Sequence, residues 1–113
     1  MESQVELNEE RLKLLDKLKQ LSPDMTGAEW SVLDIAYKDG ALSRKVKRLI
    51  ALGIALHAGC TNCILAQTKH ALDAGATKDE ILETISVEVA MSGTTGIAES
   101  LRVIKLLDEL GKL

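Results

Sequence analysis

The sequence predicts an all-α protein, a single-domain bundle of about six helices covering residues 1–113. Three observations carry that expectation. Apolar residues recur at the three-to-four spacing of a helix face, not at the alternation of a strand. Aromatics make up 2% of a chain that is 46% hydrophobic, with Trp30, Tyr37 and no Phe. The core must therefore come from Leu, Ile, Val and Ala, which suits helices packed closely through small side chains. Helix-starting and helix-stopping residues also punctuate the chain regularly, with only one proline. At 113 residues the chain is long enough for one domain with its own core and too short for two.

The elements follow in order. A first helix is expected from about Val5 to Leu21, with Leu7, Leu14, Leu18 and Leu21 on one stripe, stopped by "SPD" at Ser22 to Asp24. Thr26 and Glu29 have capping-box spacing and open a second helix through Trp30, Leu33 and Tyr37, ending at Asp39 and Gly40. Ser43 caps a third, carrying Val46, Leu49, Ile50 and Ile54 and closed by Gly59. A fourth starts at Cys60 or Thr61 and ends at Gly75. Thr77 and Glu80 form a second capping box, for a fifth helix with Ile81, Ile85 and Val89. "SGTTG", Ser92 to Gly96, reads as a flexible connector before a last helix with Ile97, Leu101, Ile104 and Leu107 on its apolar side.

Charge and composition exclude some functions. Fourteen basic and seventeen acidic residues give a net charge of -3 without a basic footprint, so no nucleic acid partner is expected. The run "SRKVKR", Ser43 to Arg48, reads as a solvated helix face. The acidic amino terminus has no signal-like apolar segment. The longest apolar run, Leu49 to Leu56, falls far short of the roughly 20 residues that span a bilayer. The expectation is a soluble, cytoplasmic protein with no membrane partner. In such a reducing compartment a purely structural disulfide is not expected, and a bridge between residues three apart constrains the unfolded chain little.

The chemistry-bearing stretch is "GCTNCILAQTKH", Gly59 to His70. On a helix beginning at Cys60, the residues Cys60, Cys63 and Gln67 follow one another at steps of three and four and share a face, with His70 one turn further. The unpaired N–H groups and positive dipole end of a helix N-terminus stabilise a thiolate, the attacking form of cysteine in disulfide exchange. Two small buried hydrophobes are the plainer alternative, but a C-x-x-C pair directly after a helix-ending glycine favours redox work. A four-ligand metal site of His57, Cys60, Cys63 and His70 fails on distance. His70 lies roughly 10 Å along the axis from Cys63, whereas zinc needs ligand atoms about 2.0–2.3 Å away. His57, Cys60 and Cys63 with an outside fourth ligand remain as a lesser alternative; no metal and no cofactor are expected. His70 is expected to be an ordinary exposed helix residue, and His57 a helix-end residue near the dithiol.

The block from "LSRKVKRLIALGIAL" through "CTNCILAQTKHALDAGATKDEILETISV", Leu42 to Val87, resembles the carboxymuconolactone decarboxylase and alkylhydroperoxidase D superfamily. The resemblance implies an alkylhydroperoxidase D-like helical fold that assembles into trimers or hexamers. In the cysteine-bearing branch it implies peroxidase and disulfide reductase activity. That branch carries a glutamate twelve positions before the first cysteine and a histidine four positions after the second. Here those positions hold Arg48 and Gln67. Gln67 cannot accept a proton at neutral pH and Arg48 is permanently charged, so the branch's relay cannot operate. An arginine near the pair would favour a thiolate by its charge instead.

The expected function is a thiol-disulfide oxidoreductase with peroxidase activity, cycling Cys60 and Cys63 between dithiol and disulfide. Arg48, Gln67 and His57 are the supporting candidates. The dipole favours Cys60 as the attacking thiol and the branch's relay favours Cys63; Cys63 is taken as peroxide-reactive and Cys60 as resolving. The partners expected are further copies of the chain, a peroxide or disulfide substrate, and a dithiol electron donor. Two other readings stand beside it: a degenerate, non-catalytic scaffold, supported by the joint loss of Glu and His, and a decarboxylase-type enzyme of the same fold.

Overall fold

Six helices occupy the chain: α1 (Gln4–Leu21), α2 (Pro23–Ala36), α3 (Arg44–Ala58), α4 (Thr61–Asp73), α5 (Lys78–Ser92) and α6 (Thr94–Glu109). The computed structural model describes all residues, Met1 to Leu113, and contains no strand. The starts of α1, α3, α4 and α5 are set by side chains that take up N–H groups no helical carbonyl can reach. Ser3 Oγ accepts from Glu6 N–H and Ser43 Oγ from Val46 N–H, each at 3.2 Å. At α5 the reciprocal pair forms as expected, with Glu80 N–H donating to Thr77 Oγ1 at 3.1 Å and Thr77 N–H to Glu80 Oε1 at 2.9 Å. Gly59 closes α3 in the left-handed region, φ 65°.

The core lies among α3 to α6. Leu52 and Leu56 of α3, Ile64 and Ala71 of α4, Ile81 of α5, and Val103 and Leu107 of α6 form one buried cluster. Each large apolar side chain so buried contributes about 1.5–3 kcal/mol relative to exposure. α1 lies across α4 and α6. Its start is tied to the end of α6, where Ser3 Oγ and Gln4 N–H both donate to the Glu109 carboxylate, at 2.5 and 2.7 Å. These hydrogen bonds, Ser3 first, hold the Glu109 carboxyl below its usual value. α2 packs chiefly on α1.

Four sequence expectations are corrected. α2 begins at Pro23, not at a Thr26–Glu29 capping box: proline at the first helical position has a preset φ and lacks an N–H that would be orphaned there anyway. Thr26 is buried inside the helix, and its hydroxyl donates to the Ser22 carbonyl at 2.9 Å. α2 also ends early, at Ala36, because the Tyr37 ring is held under the Arg48 guanidinium, 3.5 Å from its centroid. "SGTTG" is no connector. Gly93 alone breaks the chain, at φ 63° and ψ -138°, a conformation open essentially only to glycine, and α6 starts at Thr94. Finally, the apolar stripes of α1, α3 and α6 face outward in good part: Leu14, Leu18 and Leu21, then Val46, Ile50 and Ile54, then Ile97 and Leu101 are exposed. The buried stripe of α3 is Arg48, Leu52, Ala55 and Leu56 instead.

Candidate functional site

Cys60 is the N-cap of α4. Its backbone is extended, and its sulfur accepts the Cys63 N–H at 3.2 Å, the place a serine or aspartate oxygen usually takes. The two cysteines are joined as a disulfide, their Cα atoms 5.2 Å apart. Gly59 makes this possible by turning the chain sharply from α3 into the cap, with Cys60 N–H donating back to the Ala55 carbonyl at 3.3 Å. Cys63 is exposed and Cys60 half-buried.

Further along the same face of α4, Gln67 Oε1 accepts from Arg48 Nη1 at 3.2 Å. Arg48 is not part of a solvated basic face as the run "SRKVKR" implies. It is buried, stacked on Tyr37, and its Nε finds no partner. Loss of hydration pulls its pKa below the ordinary guanidinium value; Tyr37 pulls it back up and Arg44 adds to the lowering. The two residues standing where the resembling branch has glutamate and histidine are therefore bonded to each other, one turn beyond Cys63.

His70 departs from expectation too. It is half-buried, and its pKa is held below the ordinary imidazole value by loss of hydration first, then by Arg48 and Arg11, with Asp73 opposing. Its ring is biased towards the neutral form. His57 points towards α5, its Nδ1 hydrogen-bonded to Ser92 Oγ at 2.6 Å and 4.0 Å from Glu88 Oε1. No three His, Cys, Asp or Glu side chains converge as a metal site would require. Glu88 escaped the sequence reading. Its carboxylate is 3% exposed and neither oxygen has a hydrogen-bond partner. The signal was there: Ile81, Ile85 and Glu88 follow the helix spacing of one face, which puts a carboxylate on a core stripe.

Fold and site together define a small all-helical protein whose C-x-x-C pair caps a helix. Residues 24–106 match the carboxymuconolactone decarboxylase family, and the chain belongs to that family. It is 32% identical over 93 residues to an uncharacterized protein of Cupriavidus necator, a match covering 82% of each chain. It is 34% identical over 76 residues to uncharacterized protein 4 in the cox locus of Paracoccus denitrificans, covering 67% of this chain and 68% of that one. Among solved structures it resembles apo-lpg0406 of Legionella pneumophila, a carboxymuconolactone decarboxylase family protein, with a TM-score of 0.90, 28% identity and coverage of 96% and 97%. It also resembles TM1620 of Thermotoga maritima, with a TM-score of 0.81, 25% identity and coverage of 91% and 90%. No helix is long and apolar enough to cross a membrane.

Proposed function

We propose that this chain is a thiol-disulfide oxidoreductase that reduces peroxides through Cys60 and Cys63. The observation that carries the reading is the joined pair at the start of α4, with Cys60 capping the helix and Cys63 exposed to reagents. In the oxidative half-reaction the Cys63 thiolate attacks a peroxide oxygen. The O–O bond breaks, the departing alkoxide takes a proton from solvent, and Cys63 is left as a sulfenic acid. The Cys60 thiolate then attacks that sulfur; hydroxide leaves, is protonated to water, and the disulfide forms. In the reductive half a donor thiolate attacks the exposed Cys63 sulfur and Cys60 leaves as thiolate. The donor's second thiol resolves the mixed disulfide, so the donor is oxidised and both cysteines are reduced.

The cap suits Cys60 to the leaving role. The Cys63 N–H and the helix dipole favour negative charge on its sulfur, and a lower-pKa thiolate leaves faster. Gln67, engaged by Arg48, supplies no base. Solvent therefore handles the protons, and the pair is a redox site slower than one served by histidine. Assembly into a homo-oligomer, trimer or hexamer, belongs to the same proposal, as does a cytoplasmic location with a dithiol donor.

The test follows hydrogen peroxide and cumene hydroperoxide consumption with dithiothreitol as reductant, alongside thiol alkylation against pH. Turnover lost in both Cys60→Ser and Cys63→Ser is expected. One thiol should alkylate with an apparent pKa below the free value of about 8.5. No turnover with either peroxide, together with two unshifted thiols, would leave the scaffold reading.

A further inference from the structure

Away from the cysteines, α3 and α5 diverge around a groove of about 500 Å³. That volume lies within the roughly 300–1,000 Å³ of small-molecule sites, which combine apolar walls with a few placed polar groups. Ile50 and Ile54 of α3 and Val87 and Met91 of α5 form its walls, all of them exposed. Its floor passes over Gly53, and its polar groups include Glu88 and His57.

Glu88 is the feature the fold leaves unanswered. A buried carboxylate is ordinarily paired or fully hydrogen-bonded, because its unmet oxygens carry the whole desolvation cost. Here both oxygens lack a partner, and the nearest ring nitrogen, at 4.0 Å, is already bonded to Ser92. The carboxylate is pressed against the first turn of α6, where a side chain on Gly96 would collide with it. That turn completes neither oxygen's hydrogen bonds. A partnerless carboxylate on a residue that lines an apolar groove is matched by a cationic donor carried on an apolar body.

We propose that the α3–α5 groove binds a small apolar amine, its ammonium group donating to Glu88 and its hydrocarbon part lying between Ile54 and Met91. This site does not depend on the redox reading of the cysteines.

The experiment titrates n-hexylamine, n-hexanol and hexanoate into the full chain at neutral pH by calorimetry, with light scattering on the same samples. Hexylammonium is expected to bind, hexanol at least about tenfold more weakly because it lacks the charge-assisted hydrogen bond, and hexanoate not at all. Glu88→Gln should remove the preference for the amine over the alcohol. Gly53→Leu keeps Glu88 and fills the floor, so it should abolish binding of both; it serves also if Glu88→Gln does not fold. Absence of hexylammonium binding at millimolar concentration overturns the proposal, as does equal binding of amine and hexanoate, or undiminished binding in a folded Glu88→Gln. A wild type that binds no amine while Val87→Lys splits a larger assembly would assign the groove to a second copy instead, and the proposal falls.

Discussion

At position 67 a single amide stands where the proposed peroxide chemistry would draw on a base. Gln67 sits one turn beyond Cys63 and accepts from Arg48 at 3.2 Å. Replacing it by histidine puts a base at the matching place, and general-base help is typically worth about 10²-fold or more. Gln67→His, alone and with Arg48→Glu, is expected to accelerate peroxide reduction on about that scale in the dithiothreitol assay; a folded double variant no faster than wild type would show that position 67 does not serve the thiol. Arg48 was legible as the residue at the branch's glutamate position and as a supporting candidate, but not as a buried one. Its burial follows from tertiary packing, because Tyr37 offers its ring face from the end of α2, a contact between residues whose spacing in the chain carries no signal. His70 was misjudged for the same reason. With its pKa lowered in the fold, the unfolded chain binds the proton more readily, so stability is full above the unfolded value of about 6.5 and is lost as pH falls through the lowered one. The midpoint of urea unfolding should drop more between about pH 7.5 and about pH 5.5 in wild type than in His70→Gln.

Helix starts were readable where a side chain does the capping and misread where the backbone decides. Ser43 and the Thr77–Glu80 box lie where their residue types require. Pro23 and Gly93 act through permitted backbone angles, and the more familiar Thr26–Glu29 and "SGTTG" patterns masked them. The packing of α5 on α6 turns on another glycine. A methyl group at Gly96 would meet Glu88 Cδ at 3.1 Å and Oε1 at 3.2 Å, with the other oxygen closer still. Gly96→Ala is therefore expected to destabilise by about 1–3 kcal/mol through overpacking, despite the better helix propensity of alanine. Shortening the carboxylate in Glu88→Ala should relieve that clash, so the double variant loses less than the sum of the two single ones in urea unfolding. Strict additivity would place the Gly96 effect elsewhere.

For the molecule as a whole, the low aromatic content and helical spacing led correctly to an all-helical chain, but spacing could not say which apolar face turns inward. Charged residues on core stripes, Arg48 and Glu88, displaced the expected assignment, and leucines of α1 with isoleucines of α3 and α6 were left outside. On α2, which packs chiefly on α1, Met25, Val32 and Ile35 are exposed. Exposed apolar residues on α1, α2, α3 and α6 support the proposed assembly. Light scattering at micromolar concentration is expected to give a trimer or hexamer, and Val32→Glu with Ile35→Lys to lower the mass. A wild-type monomer would count against the proposed assembly.

Because the sulfur of Cys60 closes the first turn of α4, the chemical state of the pair and the integrity of that turn are one equilibrium seen from two sides. A thiolate accepts the Cys63 N–H more strongly than a neutral disulfide sulfur does. Reduction should therefore slow deuterium uptake at the Cys63 amide, measured by mass spectrometry with and without dithiothreitol. Uptake that is equal in both states would separate the cap from the redox couple. By reciprocity, anything that frays the start of α4 raises the stability of the disulfide relative to the dithiol, so the helix end and the sulfur pair report on each other.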